Sequence, residues 1–173
     1  LGLYQPDPQG VLFVGAHAWA REIAIKLKES GIESVLVDTN RANIAASREA
    51  GLHAEHGSIY IDHGLDDLAL EGIGSLVALT QNDEVNTLAC LHFADIFGRT
   101  EVYQLKPTFR QKDPEQNTLK DLQSRSLFGE EVNYRSLNSL FNKGAKIESK
   151  EILKEEEIDD LQEKEEGTIP LFA

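Results

Sequence analysis

The chain has 173 residues, 40% of them hydrophobic, and 17 Lys and Arg against 30 Asp and Glu give a formal net charge of −13. That length suits one globular domain, or one domain plus part of a second, and the composition argues against a disordered chain. Such an acidic surface repels phosphate backbones and anionic lipid, so nucleic acid is not an expected partner. The single cysteine, Cys90, rules out an intrachain disulfide framework and a Cys-rich metal site. No apolar run approaches the roughly 20 residues of a membrane helix. The sequence holds no Met, and it is expected to be a soluble piece of a longer polypeptide.

Residues 1–10 carry Pro6, Pro8 and Gly10 and read as a linker. Val11-Leu12-Phe13-Val14 is a continuous apolar run of the kind found in a strand buried on both faces. Ala20, Ile23, Ala24 and Leu27 then recur with helical spacing, and Gly31 supplies a stop. Ser34 to Asp38 is a second buried strand. Thr39 or Asn40 is placed to cap a helix running through Ala50, with Gly51 beyond it. A weaker strand follows over His53 to Ser58, and Ile61, Leu65 and Leu68 share one helical face. Ser75 to Thr80 is a strong strand, Asn82 or Asp83 starts a long helix to Phe97, and Glu101 to Leu105 is a fifth strand. Strands alternating with helices in this way predict βαβ units. The fold class is therefore α/β, a Rossmann-like doubly wound parallel sheet over residues 11–106. Residues 107–173 form a mainly helical extension and the start of a further region. In it, helices are expected near residues 114–125 and around Leu137, Leu140 and Phe141, the latter closed by Gly144. A strand is expected over Ala145 to Ser149. The acidic stretch Lys150 to Glu166 is expected to be a solvated helix or connector.

The chemistry concentrates where the first strand meets the first helix. Gly15-Ala16-His17-Ala18-Trp19-Ala20 occupies the place of a G-x-G-x-x-G turn, which holds pyrophosphate on helix-start N–H groups. Gly15 keeps the residue of the tight turn. Ala20 keeps close helix–strand packing. His17 stands where a second glycine would let a ligand approach the backbone. Its ring either donates to a phosphate or fills the space the ligand needs. Asp38 lies 23 residues after Gly15 at the end of the second strand, where an acid suits ribose hydroxyls. An acid there favours NAD or an adenosine nucleotide over NADP, and its bland alternative is a cap for the next helix. Trp19 is expected to pack rather than to stack on a cofactor.

These residues, with His56-Gly57-Ser58 and Ala78-Leu79-Thr80-Gln81-Asn82-Asp83-Glu84-Val85-Asn86, resemble the TrkA-N domain. That domain, also called RCK or KTN, regulates cation conductance. The likeness is greatest to the TrkA-N domains that follow the membrane region of sodium/proton exchangers. Arg125-Ser126-Leu127-Phe128-Gly129 resembles the accessory region behind such domains. The resemblance implies a non-enzymatic regulator at the cytoplasmic face of the membrane. It implies a homodimer or larger ring, joined to the transporter portion of the same polypeptide, that binds NAD(H) or AMP, ADP or ATP. By position it places Gly15, Ala16, His17, Ala18 and Trp19 at the phosphates. Asp38, Thr39 and Asn40 fall at the ribose, and Gly57 and Ser58 beside the adenine, with Ser58 where the family carries Asp. Thr80 and Asn82 come from the block after the fourth strand, together with Asp83, Glu84 and Asn86. Two alternatives stand beside this reading. One is a ligand-free dimerisation scaffold with His17 as a plug. The other is a fragment of an NAD-dependent oxidoreductase.

The remaining candidates read as ordinary surface or core. His53 and His56 lie near Asp62 and His63, but i and i+3 on a strand point to opposite faces, so no metal site is expected. Asp66-Asp67 and Glu130-Glu131 read as solvated charges. Cys90 reads as core. The helix from Asp83 to Phe97 carries more apolar surface than one sheet face needs, which points to a second partner. That partner is either residues 107–142 or another protomer.

Overall fold

The computed structural model describes residues 8–58, 70–108, 124–128, 132–150 and residue 169. The helical face of Ile61, Leu65 and Leu68 lies outside these residues. So do Asp62, His63, Asp66-Asp67, Glu130-Glu131 and the acidic stretch beyond Lys150.

Six parallel strands form one sheet: β1 (Gly10–Val14), β2 (Ser34–Asp38), β3 (His53–His56), β4 (Ile73–Ala78), β5 (Val102–Gln104) and β6 (Arg125–Ser126). Their order is β3-β2-β1-β4-β5-β6. This is the strand order of the dinucleotide-binding doubly wound fold, and it reverses direction between β1 and β4. In register, Phe13 lies beside Leu36 on one side and Val77 on the other.

Side chains alternate across the pleat. Val11, Phe13, Leu36, Ala54 and Val77 face one layer, which holds α1 (Ala18–Glu29) and α2 (Arg41–Glu49) through Ala20, Ile23, Ala24 and Ile44. Leu12, Val14, Val35, Val37, Leu76 and Ala78 face the other, which holds α3 (Asp83–Phe97) through Ala89, Cys90 and Phe93. Burying strands on both faces explains their unbroken apolar runs. Each fully buried Phe or Leu here stabilises the fold by ~1.5–3 kcal/mol relative to exposure.

Local chemistry sets the helix ends. Asn40, not Thr39, caps α2 by accepting from the Ala42 N–H at 2.9 Å. Asn82 caps α3 by accepting from Glu84 and Val85. The last helix, α4 (Tyr134–Asn142), opens on a capping box in which Asn133 and Ser136 satisfy each other's backbone N–H. It ends before Gly144, as its sequence expects.

One expectation fails, and another falls mostly outside the described residues. Ala145 to Ser149 has no regular structure; Ala145, Lys146, Glu148 and Ser149 are exposed and offer no apolar face to a sheet. The helix expected near residues 114–125 lies mostly outside the described residues, and where its end is described the chain is strand β6. Arg125 and Ser126 are both exposed, so no hydrophobic pattern announces them. Only pairing with Tyr103 and Gln104 makes them a strand.

Helix α4 packs on the α1 and α2 face, with Leu137 among that core. It does not cover the outer side of α3, where Leu88 and Ile96 are 44% and 54% exposed.

Candidate functional site

Three loops meet at the carboxyl ends of β1, β2 and β4. Between β1 and β4 the strand order reverses, and open α/β sheets bind ligands outside such a point. The β1–α1 turn begins at Gly15, whose φ is +109°. A Cβ there would sit 3.3 Å from the Leu79 carbonyl carbon, so both conformation and space select glycine. The Gly15 N–H donates to the Val37 carbonyl at 2.8 Å, and the Leu79 N–H to the Val14 carbonyl at 2.9 Å.

His17 is the N-cap of α1. Its Nδ1 accepts from the Ala20 N–H at 3.4 Å, and its Nε2 lies 2.8 Å from the Leu79 carbonyl oxygen. A carbonyl only accepts, so Nε2 carries the proton and Nδ1 is the bare nitrogen. The ring thus runs from the start of α1 to the end of β4, across the strand-order reversal. Burial lowers the His17 pKa below 6.5, outweighing the raising effects of the Leu79 carbonyl and of Asp38; Arg21 adds to the lowering. The neutral form that this geometry requires is the form that burial favours. Arg21 turns back on the same turn and donates from Nη1 to the Ala16 carbonyl at 2.8 Å.

Asp38 ends β2, and its carboxylate is heavily engaged within the chain. Oδ2 accepts from the Ala16 N–H and from Asn43 Nδ2, each at 2.8 Å, and Oδ1 accepts from the Asn40 N–H at 2.8 Å. Three of its roughly four acceptor sites are used. Asp38 therefore ties the β1–α1 turn to the β2–α2 turn, while the α2 cap is Asn40. Thr39 is exposed, and its carbonyl lies 3.0 Å from His56 Nε2. The Gly57 N–H donates to the Asp38 carbonyl at 3.2 Å, which sets Gly57 and Ser58 beside Asp38. The ribose and adenine candidates do come together.

The third loop is held by Asn86, which is fully buried. Its Oδ1 accepts from the Thr80 N–H at 2.9 Å and from Thr80 Oγ1 at 2.6 Å, and its Nδ2 donates to the Thr80 carbonyl at 2.9 Å. Asp83 Oδ2 accepts from the N–H and hydroxyl of Thr108, fastening the start of α3 to the chain after β5. Thr80 and Asn82 thus shape the loop. The shallow depression of about 540 Å³ beside it is lined by Gln81, Asn82, Asp83 and Glu84. Its two carboxylates disfavour a phosphate.

Above the turn lies an aromatic cluster. Trp19 is 3% exposed. Its ring centroid is 4.0 Å from that of His17 and 5.7 Å from those of Tyr134 and Phe141, and it stacks on Phe141. Its packing role is as the sequence suggests. The Trp19 Nε1–H finds no acceptor among the described residues. Ala18 is exposed at the start of α1.

A nucleotide pyrophosphate does not fit this arrangement. The Ala16 N–H is committed to Asp38, the Ala20 N–H to His17, and the His17 ring fills the approach that a glycine would leave open. Of the metal candidates, His53 Nε2 faces Glu55 at 3.3 Å and His56 faces Thr39. No group of three or more metal-ligating side chains occurs among the described residues. Residue patterns alone missed Arg21, Asn43 and Tyr134. Tyr134 was findable, since Tyr134, Leu137 and Phe141 fall at i, i+3 and i+7. Arg21 and Asn43 carry no spacing signal.

Among solved structures, the chain is similar to the NAD(P)-binding domain of an exopolyphosphatase-related protein from Archaeoglobus fulgidus. The TM-score is 0.53 at 15% identity, covering 78% of this chain and 96% of that one. It is similar to the TrkA-N domain of the inner membrane protein ybaL from Escherichia coli, with TM-score 0.53, 16% identity, and 78% and 95% covered. The GsuK channel bound to NAD matches with TM-score 0.50 and 22% identity, over 70% of this chain and 22% of that one. Likenesses at this identity establish the fold. No curated protein matches the chain. The sequence profile of the TrkA-N domain matches residues 11–118, well over half of the chain, on a sheet of the dinucleotide-binding strand order. The chain belongs to the TrkA-N domain family.

Proposed function

We propose that this chain is the regulatory domain of a cation transporter of the sodium/proton exchanger type, acting at the cytoplasmic face of the membrane. The observation that carries this reading is the TrkA-N match over residues 11–118. Similar domains occur in an inner membrane protein and in a channel. Among the described residues no helix is long and apolar enough to cross a membrane, so transport is assigned to other segments of the same polypeptide. The domain acts as a homodimer, with the exposed Leu88 and Ile96 of α3 at the contact. An arrangement of that dimer that suits one state of the transporter better than another shifts the transport equilibrium by that difference. The domain itself catalyses no reaction.

The closed turn favours signalling by arrangement in the state described here. A second reading has an observation of its own. Gly15, Asp38, Gly57 and Ser58 converge at the carboxyl ends of β1 to β3, so NAD(H) or an adenine nucleotide would bind once His17 had left the crevice.

The test is reconstitution of the full natural polypeptide in vesicles with a pH-sensitive dye inside. Sodium-driven proton movement whose rate changes when Leu88 and Ile96 are both made Asp supports the proposal. Absence of cation-coupled proton movement sinks it. Native mass spectrometry with NADH, NAD, AMP, ADP or ATP then separates the two readings.

A further inference from the structure

Helix α4 reaches over the β1–α1 turn. The Tyr134 ring meets His17 edge-on at 5.3 Å, and Phe141 lies parallel to Trp19 at 5.7 Å with 6° between the planes. Burial raises the Tyr134 pKa, and the Asp38 carboxylate raises it further, which puts the phenol within reach of that acid's field. One helical face, formed by Tyr134, Leu137 and Phe141, therefore meets the turn and senses the acid at the end of β2.

The attachment is apolar and aromatic. The hydrogen bonds of α4 among the described residues close on the helix itself and its capping box. A helix capped in this way keeps its shape without its neighbours better than an uncapped one. Its outer face carries the exposed residues Arg135, Ser139 and Asn142. The buried Trp19 N–H under this helix has no acceptor among the described residues, and water would supply one when the helix lifts.

We infer that α4 is a detachable latch on the phosphate turn: docked, it covers His17 and Trp19, and released, it uncovers the turn while the six-stranded sheet stays folded. The inference rests on reading this turn as the regulated end of the domain.

Trp19 is the only tryptophan in the chain, so its emission reports the latch. Ser139→Pro tests it on the full chain. Ser139 is exposed in the middle of α4, and proline there removes a helix hydrogen bond and clashes with the carbonyl four residues back. The substitution changes no aromatic residue. The expected result is red-shifted Trp19 emission, acrylamide quenching raised several-fold, and amides of residues 16–21 exchanging at least about tenfold faster. Amides of β1, β2 and β4 should keep their protection within about threefold. Loss of sheet protection along with that of the turn overturns the latch and makes α4 part of the core. Trp19 remaining shielded after α4 has melted overturns it too. AMP and NADH are then titrated into Ser139→Pro. Binding by the variant and not by the unmodified chain supports the latch as a gate for ligand. Binding by neither, with Trp19 exposed and the sheet intact, upholds the latch and counts against the nucleotide reading.

Discussion

Replacing His17 with glycine restores the residue that a phosphate turn normally carries and removes the bridge to β4. The cost follows from the bonds and ring packing of the imidazole. The Nε2–H bond to the Leu79 carbonyl, at 2.8 Å, contributes about 1 kcal/mol. Ring packing with Trp19 and Tyr134, at 4.0 and 5.3 Å between centroids, contributes about another. The cap bond to Ala20 is long at 3.4 Å, and glycine is a tolerable N-cap, so its loss adds only a few tenths of a kcal/mol. Backbone freedom of the new glycine adds ~0.5 kcal/mol. The sum is roughly 2–3 kcal/mol, which for a domain of this size lowers the Tm by roughly 4–12 °C. Thermal unfolding followed by circular dichroism reads this directly. The same substitution frees the Ala20 N–H and opens the crevice between β1 and β4. Calorimetric titration with AMP and NADH should then show affinity at least about tenfold above that of the unmodified chain, or about 1.4 kcal/mol. An unchanged Tm would show that the ring bridges nothing. A lowered Tm without any gain in affinity would refute the plug as the barrier to nucleotides.

Asn86→Ala removes three hydrogen bonds to Thr80 from a fully buried site; the loss should be about 3 kcal/mol, and a denaturant midpoint that does not move would contradict the role given to Asn86. The Cys90 thiol is pushed up to about 11 by burial, so at pH 8 it should react with a disulfide reagent only as fast as the domain opens; immediate reaction in the native chain would place it at the surface. The lowered pKa of His17 carries a signed consequence. Stability drawn from keeping it neutral is complete above pH 6.5 and is lost as pH falls from there through the lowered native value. The stability difference between the chain and His17→Gln should accordingly be flat above pH 6.5 and change in the acid direction; a difference flat throughout would deny the shift. Leu88→Asp with Ile96→Asp should convert the proposed dimer to a monomer in analytical ultracentrifugation, leaving circular dichroism unchanged; an unmodified chain that is already monomeric would contradict the dimer, and an undisturbed dimer would move the contact elsewhere.

Much of the fold is written in β1, β2 and β4. Their apolar runs are too continuous for a one-sided sheet, and that alone demands helices on both faces. Capping residues are legible to within one position: Asn40 rather than Thr39, and Asn82 rather than Asp83, satisfy helix-start N–H groups two or three residues away. What stays hidden depends on distance along the chain. Strand β6 is two exposed polar residues that become a strand only by meeting β5. Ala145 to Ser149 has strand-like alternation but pairs with no strand among the described residues. At the site, the position of Asp38 is legible from its spacing after Gly15. Its employment by Ala16 and Asn43 is not, since neither bond follows from a motif. The ambiguity of His17 is intrinsic to the sequence. Donor or plug depends on where the Leu79 carbonyl lies, 62 residues further on.

That imidazole decides whether the phosphate turn is closed, and nitrogen-correlated NMR of the five histidine rings tests it most directly, with the His17 signals assigned by substitution. The expected spectrum shows one ring fixed as the Nε2–H tautomer, its proton exchanging slowly with water and its titration midpoint below 6.5. A His17 ring that averages both tautomers, or titrates at 6.5 or above, would show that it does not bridge α1 to β4 and that the phosphate turn stands open.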